Sequence, residues 1–192
     1  FSSKKLNKVS SYREFVKKTV IEISEVIDNI DPKIINKIIY TSSSSVYGSL
    51  NNNLSFEDKN NRSVYSSFKL SAESLVKNFS SLHKINLSIC RLFNLYGPKD
   101  DFSIISKLLD IKKKNKKILI FNKGKSIRDF IHVDDVTRIY VKILKSKNSG
   151  IFDVGTGKGF SIIEIIEKLR IPKRKIVFQN NALNEISYSV AN

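Results

Sequence analysis

The sequence contains few of the residues that crosslink a chain or bind metal ions. It has one cysteine, Cys90, and two histidines, His83 and His132, among 192 residues. A single cysteine cannot form an internal disulfide, which fits a reducing compartment, and we interpret Cys90 as a small core residue. No spacing of these residues resembles a set of metal ligands, so we predict no metal site. His132 lies in a strand-like run, where a packed structural role is favoured and a role as a base is the alternative.

Long apolar runs are also absent from the sequence. No segment approaches the roughly 18 consecutive apolar residues that a membrane-spanning helix needs. The chain begins Phe-Ser-Ser-Lys-Lys, without the apolar stretch of a secretory signal. We therefore predict a cytoplasmic protein without a membrane partner. Because residue 1 is Phe and not Met, we also expect the chain to be part of a longer product.

Acidic residues are outnumbered, with 34 Lys and Arg against 18 Asp and Glu, for a formal net charge of +16. Such a charge is compatible with binding to nucleic acid or a membrane surface. Lysine predominates over arginine, however, whereas phosphate and base recognition mostly uses arginine. The densest run, Lys112–Lys117, follows a predicted helix, where cations complement the helix dipole. We therefore disfavour a nucleic-acid partner and expect the positive field to favour a small anionic substrate such as a nucleotide diphosphate.

The remaining composition predicts a globular α/β protein, since 41% of the residues are apolar and 10% aromatic. Helical spacing of apolar residues predicts helices at Val9–Ile30, Val64–Leu82, Ser103–Ile111, Asp134–Leu144 (with Asp134 and Asp135 as its N-cap) and Ser161–Leu169. Short apolar, mostly β-branched runs predict strands at Lys37–Thr41, Leu87–Phe93, Ile118–Phe121, Arg128–Val133, Gly150–Val154 and Ile176–Phe178. Asn51–Arg62 is predicted to be a loop, and Asn94–Pro98 a turn that closes the second strand. This alternation predicts a parallel sheet covered on both faces by helices.

Two glycine-containing segments resemble nucleotide-binding loops but depart from the required spacing. Gly155-Thr-Gly157-Lys-Gly159 follows a strand and precedes a helix, as a dinucleotide loop does. Its spacing differs from Gly-x-Gly-x-x-Gly, and no ribose-binding acid follows on a strand about 20 residues later. Gly124-Lys125-Ser126 resembles the end of a P-loop, but Leu119 occupies the position of the first glycine. We therefore disfavour the first segment as a pyrophosphate loop and reject the second.

The segment Lys37–Lys69 carries a candidate proton-transfer site. Ser43 lies near the end of a predicted strand, and Tyr65 precedes Lys69 by four residues, so both project from one face of a helix. A tyrosine titrates near pH 10, and a nearby cation lowers that pKa. A serine hydroxyl could hold a substrate oxygen while the tyrosine takes its proton. In a lysine-rich chain this spacing also arises by chance, so a half-buried tyrosine beside an exposed lysine is the alternative.

Several segments in order extend this pattern along nearly the whole chain. They are Thr41-Ser-Ser-Ser-Ser-Val-Tyr-Gly48, Tyr65-Ser-Ser-Phe-Lys69, Arg91-Leu-Phe-Asn-Leu-Tyr-Gly-Pro98, Arg128-Asp-Phe-Ile-His-Val-Asp-Asp135 and Phe152-Asp-Val-Gly-Thr-Gly157. Together they resemble the extended short-chain dehydrogenases/reductases, in particular the NAD-dependent nucleotide-sugar epimerase/dehydratase group. The last segment departs from that pattern, because Asp153 stands where the family has Asn.

The resemblance implies a Rossmann-like, doubly wound parallel sheet that lacks its first βαβ units, with a small α/β substrate-binding lobe at the C-terminal side. Residues 1–98 would form the C-terminal half of the NAD-binding domain, with the catalytic residues. Residues 99–192 would mainly form the lobe, with 128–154 partly returning to the sheet. The family's glycine-rich pyrophosphate loop and ribose-reading acid are missing from the chain, which we therefore expect to be incomplete at its N-terminus and to hold NAD weakly by itself.

The resemblance also implies roles for individual residues. The catalytic residues would be Ser43, Tyr65 and Lys69; the NAD site would include Ser42, Tyr65, Lys69 and Phe93; the nucleotide-sugar site would include Ser43, Asn94, Phe121 and Arg128. Asn94 would contact the sugar diphosphate, and the Arg128 guanidinium would clamp its phosphates. The alternatives are that Asn94 is only a turn residue and that Arg128 pairs structurally with Asp129 or Asp134.

The residues after the catalytic serine bear on the type of reaction. Family members that eliminate water have an Asp-Glu pair there, whereas this chain has Ser44 and Ser45, which cannot act as the acid and base of an elimination. We therefore predict an NAD-dependent, UDP-glucose 4-epimerase-like enzyme acting on a nucleotide-diphosphate sugar, as a homodimer in the complete protein. The alternatives are a reductase, decarboxylase or dehydratase of the same family, or a non-catalytic relative that binds NAD or RNA.

Overall fold

The computed structural model describes residues 12–48, 64–114, 116–179 and 186–192. The predicted loop Asn51–Arg62 and the first residues of the helix predicted from Val9 lie outside these ranges. The described residues divide into two compact units, one formed by residues 12–48, 64–92 and 137–154 and the other by the described residues of 93–136 and 155–192. The assignment of NAD binding and substrate binding to parts of the chain stays a prediction.

The described elements alternate along the chain as the sequence predicts. The helices are α1 (Tyr12–Val16), α2 (Glu22–Asp28), α3 (Val64–Leu82), α4 (Ile104–Lys113), α5 (Val133–Lys145) and α6 (Ile162–Lys168). The strands are β1 (Lys37–Ser43), β2 (Asn86–Leu92), β3 (Asn94–Tyr96), β4 (Ile118–Phe121), β5 (Ile127–His132), β6 (Gly150–Val154), β7 (Gly159–Ser161), β8 (Ile176–Gln179) and β9 (Tyr188–Ser189). None of the helices in the described ranges has the length and apolar character that a bilayer crossing requires.

The first unit is built on a parallel sheet of order β1-β2-β6. Its carboxyl edge is aligned, since Ser43 pairs with Leu92 and Leu92 with Val154. Strand β2 is central, and its residues Ile89 and Cys90 are buried, which confirms Cys90 as a core residue. The predicted parallel sheet is thus confirmed, and Ser43 lies where parallel sheets usually present ligand-binding residues.

Helix α3 packs on this sheet against β1 and β2. Its apolar residues recur every four positions, so Ala72 and Val76 lie on one face and are buried. Glu73 is also buried, although a carboxylate rarely is unless it has partners. The buried side of α3 therefore combines packing residues with a charged residue.

Lys37 and Lys175 each cap the C-terminal end of a helix. In the first unit, Lys37 Nζ donates to the carbonyl of Ile143 in the last turn of α5 at 2.5 Å, and to those of Ser146 and Asn148 just after the helix at 2.9 Å each. In the second unit, Lys175 Nζ donates to the carbonyls of Ile111, Lys112 and Lys114 at 2.7, 3.1 and 2.8 Å, at the end of α4. The last carbonyls of a helix lack partners within it, so cations satisfy them and complement the dipole. Part of the high positive charge therefore has a structural role.

The second unit contains two small sheets. Strand β5 pairs in parallel with β3 and β9 and antiparallel with β7, and β4 pairs in parallel with β8. Its hydrophobic core consists of Leu108, Ile111, Ile120, Ile162, Ile165, Ile166 and Ile171. These residues come from α4, β4, α6 and the turn that follows α6. Periodicity of apolar residues predicts those elements correctly.

Besides the short strands β7 and β9, which the sequence does not predict, three local features differ from the sequence prediction. The predicted turn at Asn94 begins instead with strand β3, because Asn94 pairs with Phe130 on β5. Helix α5 starts at Val133, so Asp134 and Asp135 are not an N-cap but lie in its first turn. Carboxylates at this position interact favourably with the positive end of the helix dipole. The helix predicted over Val9–Ile30 is helical from Tyr12 to Asp28 but includes a π-helical turn at Lys17–Ile21.

Candidate active site

The structure brings together the three predicted catalytic residues. Tyr65 and Lys69 lie one turn apart at the start of α3, and Ser43 is the last residue of β1. A hydrogen bond joins the side chains of Ser43 and Tyr65. Lys69 Nζ donates to the carbonyl of Thr41 at 3.1 Å. Helix α3 therefore holds a phenol and an ammonium at the carboxyl end of β1.

Ser43 is oriented by the short 3₁₀-helix Ser44–Tyr47 that follows it. Its Oγ accepts hydrogen bonds from the backbone N of Ser45 at 3.2 Å and from the Ser45 hydroxyl at 3.0 Å. A serine hydroxyl has two acceptor sites and one donor. Because both acceptor sites are used, Ser43 directs its own proton toward Tyr65. Ser45, a position considered above only for its lack of a carboxylate, thus orients the predicted catalytic serine.

Burial dominates the electrostatics of Tyr65 and Lys69. Burial raises the pKa of Tyr65, and the Ser43 hydrogen bond only partly opposes that effect. Burial lowers the pKa of Lys69, with the negative charge of Glu73 acting in the other direction. Tyr65 therefore carries its proton at neutral pH. The expected lowering of the Tyr65 pKa is not produced by these side chains alone.

Tyr40 is a neighbour that sequence reasoning missed. Lys69 Nζ lies 5.4 Å from the centre of the Tyr40 ring, within cation–π range. Within the described part of the chain, the Tyr40 hydroxyl is buried without a hydrogen-bond partner. Burial raises the pKa of Tyr40, and the negative charges of ionised Tyr65 and of Glu73 add to it. Its place beside the lysine follows from the pairing of β1 with α3, which no motif signals.

A polar group built around the buried Ser42 and Glu73, here named the Glu73 cluster, also includes the partly buried Tyr47, Arg91 and Asp153. Ser42 Oγ donates to Glu73 Oε1 at 2.6 Å, while Arg91 Nε and Nη2 donate to Oε1 and Oε2 at 3.1 and 2.8 Å. The Arg91 guanidinium lies 4.6 Å from the centre of the Tyr47 ring, and Tyr47 OH donates to Asp153 Oδ1 at 2.6 Å. The cluster therefore connects α3 to β1, β2 and β6.

The charges in the Glu73 cluster are stable in their ionised form. Glu73 is 1% exposed, and burial would raise its pKa, but hydrogen bonds from Arg91 and Ser42 outweigh burial and lower it. The hydrogen bond with Glu73 in turn raises the pKa of Arg91. Glu73 was not predicted as a site residue, although its position four residues after Lys69 places it on the same helix face.

Ser42 was predicted to line the nicotinamide site. Its side chain is 3% exposed, and its proton is donated to Glu73. A contact with NAD at this position would therefore come from the backbone, and the assignment stays a prediction.

The other predicted ligand-binding residues lie in the second unit. Asn94 Nδ2 donates to the carbonyl of Asp129 at 2.9 Å, so Asn94 is a strand residue with a structural contact rather than only a turn residue. The Arg128 guanidinium donates to the carbonyls of Ile127, at 2.9 Å, and Ile186. Phe93 is buried, and Phe121 is a partly buried residue at the end of β4. Their predicted contacts with NAD and substrate stay predictions.

The Gly155–Gly157 loop has an internal acceptor. The buried Asp129 carboxylate accepts from the backbone N of Thr156 at 2.8 Å, from Thr156 Oγ1 at 2.6 Å, from the N of Gly157 at 2.9 Å and from the N of Ala191 at 3.3 Å. A Cβ at Gly155 would lie 2.5 Å from Asp129 Oδ2, which explains the glycine. These contacts account for the Gly-x-Gly sequence without a phosphate ligand. They show that the Asp129 carboxylate holds the loop backbone.

His132 has a packed position, as favoured from the sequence. Its Nδ1 accepts from the backbone N of Asp134 at 3.3 Å, and its ring makes an edge contact with Tyr96 at 5.2 Å between centroids. In the described ranges, no group of three or more His, Cys, Asp and Glu residues is arranged to hold a metal ion.

The donor set at the end of β1 fits a nicotinamide ribose. Lys69 has three N–H donors, one of which is directed to Thr41, and Tyr65 presents a phenol one turn away. Both side chains are partly exposed, so they are accessible to a ligand. An ammonium and a phenol on one helix face can hydrogen bond to neighbouring ribose hydroxyls. Ser43, Tyr65 and Lys69 are therefore chemically suited to the predicted cofactor.

Comparisons with known proteins identify the family and the fold of the chain. The model of the NAD dependent epimerase/dehydratase family matches residues 3–155. The chain is 32% identical over 152 residues to ADP-L-glycero-D-manno-heptose-6-epimerase of Brachyspira hyodysenteriae, covering 73% of this chain and 47% of the relative. It is 28% identical over 171 residues to dTDP-D-glucose 4,6-dehydratase of Dictyostelium discoideum, covering 81% and 39%. The chain thus spans about half or less of the length of these curated relatives.

Solved structures show the same fold. A UDP-N-acetylglucosamine 4-epimerase of Methanobrevibacter ruminantium, in complex with UDP-N-acetylmuramic acid, aligns with a TM-score of 0.80 at 24% identity, over 97% of this chain and 63% of that chain. A dTDP-glucose 4,6-dehydratase of Bacillus anthracis, in complex with NAD, aligns with a TM-score of 0.77 at 22% identity, over 96% and 62%. The predicted Rossmann-like α/β fold is therefore confirmed.

The family model covers the segment that contains Ser43, Tyr65 and Lys69. The family is NAD-dependent, which confirms the predicted cofactor. Its curated members among the relatives act as epimerases or dehydratases, as their names state. On the strength of the family match and of the fold, this chain belongs to the NAD dependent epimerase/dehydratase family.

Proposed function

We propose that this chain carries the catalytic half of an NAD-dependent, UDP-glucose 4-epimerase-like enzyme that acts on a nucleotide-diphosphate sugar. The observation that carries the proposal is the contact of Ser43 with Tyr65, one turn from Lys69, at the carboxyl end of a parallel strand. A phenol that exchanges a proton with a hydroxyl, beside a serine that holds the same oxygen, suits oxidation and reduction of an alcohol.

In this proposal each residue has one task. Tyr65 removes the proton from a sugar hydroxyl and returns it. Ser43 holds the reacting oxygen by turning its proton from Tyr65 to that oxygen when the substrate is bound. Lys69 binds ribose hydroxyls and supplies positive charge near Tyr65. NAD, when bound, takes up and returns the hydride. The sugar passes through a keto form and turns over, so that it is reduced on its other face and its configuration is inverted.

The electrostatics of the site favour the role of Tyr65 as an acid over its role as a base. Its raised pKa keeps the phenol protonated at neutral pH, which suits protonation of the keto oxygen in the return step. Removal of the sugar proton requires the phenolate, and a cation close to Tyr65 lowers its pKa. In the complete enzyme, Lys69 and the positively charged oxidised nicotinamide are the proposed sources of that charge.

We extend the proposal to substrate binding by the second unit. The Arg128 guanidinium, oriented by two backbone carbonyls, has the planar donor pattern that matches a diphosphate. Asn94, held by its contact with the carbonyl of Asp129, is proposed to contact the sugar diphosphate, and Phe121 to lie against the base. Phe93 is proposed to line the nicotinamide site. A homodimer and a cytoplasmic location are further proposals for the complete protein.

A 4,6-dehydratase is the second candidate, because relatives of that name are among the matches. The short helix after Ser43 argues against it. Ser44 and Ser45 occupy the positions of the acid and base, and the Ser45 hydroxyl is committed to Ser43. A serine hydroxyl cannot act as the general acid and general base that an elimination requires. A reductase or decarboxylase of the family would leave the Ser43, Tyr65 and Lys69 roles unchanged.

The test uses the complete protein with NAD and a panel of nucleotide-diphosphate sugars, with products identified by NMR. We expect interconversion of C4 epimers without net consumption of NAD, and a loss of at least about 100-fold in kcat for Tyr65→Phe. A 4-keto-6-deoxy product would identify a dehydratase. Wild-type activity in Tyr65→Phe would overturn the mechanism, and salt-sensitive RNA binding without turnover would support the non-catalytic alternative.

A further inference from the structure

Helix α3 contacts the end of β1 at three successive turns. Tyr65 hydrogen bonds to Ser43, Lys69 Nζ donates to the carbonyl of Thr41, and Glu73 accepts from Ser42 Oγ at 2.6 Å. The four-residue spacing places these α3 side chains on one face. The first two turns belong to the proposed catalytic site. The third turn is buried, and nothing in the proposed reaction uses it.

Glu73 is a costly residue at this position. A carboxylate that is 1% exposed requires partners, and Arg91 and Ser42 provide them. Since Arg91 lies on β2, the ion pair ties α3 to the neighbouring strand as well as to β1. Lys77 Nζ lies 3.8 Å from Glu73 Oε2, and the Lys77 side chain is about half exposed, so Lys77 lies at the surface. The contacts of Glu73 with Ser42 and Arg91 hold the end of β1, where Ser43 meets Tyr65, against α3.

We propose that Glu73, held by Arg91, is a positioning residue that sets the place of Ser43 relative to Tyr65 and Lys69 by anchoring Ser42. The proposal rests on the proposed function. Ser42 and Ser43 are consecutive, so a shift of one backbone position moves the other. Glu73 and Lys69 are one helical turn apart, so the same carboxylate also acts on the lysine through its charge. Glu73 is not placed in contact with the reacting atoms.

The anchoring of Ser42 by Glu73 and the effect of the Glu73 charge on Lys69 can be tested separately. Among the described residues, the titratable side chains that face Lys69 are Tyr40 on β1 and Tyr65 and Glu73 on α3. Glu73 raises the pKa of Lys69 against the lowering by burial. Loss of the Glu73 charge therefore lowers the pKa of Lys69, and the ammonium loses its proton at a lower pH. Loss of the Ser42 hydroxyl removes the anchor but leaves that charge in place.

The experiment compares Ser42→Ala, Glu73→Gln and the control Lys77→Ala in the complete protein. We expect Ser42→Ala to lower kcat about 10-fold to 100-fold with KM for the nucleotide sugar within about twofold, as small misplacements of reacting groups do. We expect Glu73→Gln to lower kcat similarly and to move the alkaline limb of the kcat–pH profile to lower pH. Lys77→Ala should match the wild type. Ser42→Ala keeps the Glu73–Arg91 ion pair, so it tests positioning even where Glu73→Gln folds poorly.

A second readout does not depend on turnover. The pKa of Lys69, followed by NMR of the labelled lysine side chain, should fall in Glu73→Gln and stay unchanged in Ser42→Ala. Wild-type kcat in Ser42→Ala, or an unchanged Lys69 pKa in folded Glu73→Gln, would overturn the proposal. If the wild-type protein turns over no nucleotide sugar, the proposed function fails, and the Lys69 titration still decides whether Glu73 acts on this lysine.

Discussion

Ser45 donates two hydrogen bonds to Ser43, one from its backbone N and one from its hydroxyl. This pair occupies both acceptor sites of the Ser43 oxygen, so the Ser43 proton is directed to Tyr65. The 3₁₀-helix that follows β1 is therefore part of the candidate site. Its first residues hold the serine in the orientation that proton transfer requires.

Removal of the Ser45 hydroxyl should weaken this orientation without abolishing it. In Ser45→Ala the backbone donor remains, and one hydrogen bond of about 1 kcal/mol is lost. We expect kcat to fall about fivefold with little change in KM, as measured by steady-state kinetics of the complete protein. Ser44→Ala is the control and should keep wild-type kcat. Equal losses in both variants would show that the Ser43–Ser45 contact has no special role.

Tyr40→Phe should preserve or increase stability. The Tyr40 hydroxyl is buried without a partner, and such a group costs about 1–3 kcal/mol. Tyr140→Phe is the matched control, because the Tyr140 hydroxyl lies 2.9 Å from Thr41 Oγ1 and its removal should lower the free energy of unfolding by about 1 kcal/mol. Urea denaturation of the two variants and the wild type gives the comparison. A loss in Tyr40→Phe as large as in Tyr140→Phe would show that the Tyr40 hydroxyl has a partner.

The stability advantage of Tyr40→Phe over the wild type should grow at alkaline pH. Burial raises the folded-state pKa of Tyr40 above the value of about 10 in an unfolded chain. A group of this kind contributes its full stability below pH 10, and that contribution is lost as pH rises toward the folded-state pKa. Phenylalanine does not titrate, so the gap between variant and wild type in the free energy of unfolding should widen from pH 9 to pH 11. A constant gap would contradict the burial of Tyr40.

Asp153→Asn should be well tolerated, whereas Asp153→Ala should not. Asparagine keeps an acceptor for the Tyr47 hydroxyl, which lies 2.6 Å from Asp153 Oδ1. Alanine leaves that partly buried hydroxyl without its acceptor, at a cost of about 1–3 kcal/mol. Burial is the main cause of the raised pKa of Tyr47, and Asp153 adds to it. A spectroscopic titration should therefore show a lower Tyr47 pKa in Asp153→Asn than in the wild type. Similar unfolding free energies for Asp153→Asn and Asp153→Ala would contradict the role of Asp153 as the acceptor of the Tyr47 hydroxyl.

Asp129→Asn should destabilise the second unit. The buried carboxylate accepts from three backbone N–H groups and one hydroxyl, and an amide NH₂ in place of one oxygen would face donors. We expect a loss of about 2–4 kcal/mol in the free energy of unfolding, measured by urea denaturation. Asp101→Asn, at an exposed carboxylate, should change it by less than about 0.5 kcal/mol. Equal effects would show that the Gly155–Gly157 loop does not depend on Asp129.

The sequence by itself determined the order and type of most helices and strands, because the spacing of apolar residues is a local property. It also determined the family, since the segments with Ser43, Tyr65 and Lys69 occur in order along the chain. Strand β1, helix α3 and strand β6 needed no knowledge of the tertiary structure. The shortest strands did need it, because three residues such as Asn94–Tyr96 become a strand only through pairing with β5.

Only the tertiary structure decided how the site residues are held. The contact of Ser42 with Glu73 joins residues 31 positions apart, and the contact of Thr156 with Asp129 joins residues 27 apart. No periodicity or motif encodes such partners, because they follow from which strand packs against which helix. The same holds for the raised pKa of Tyr65, since burial is a property of the folded chain. Composition and spacing select the reacting groups, and packing sets their protonation and orientation.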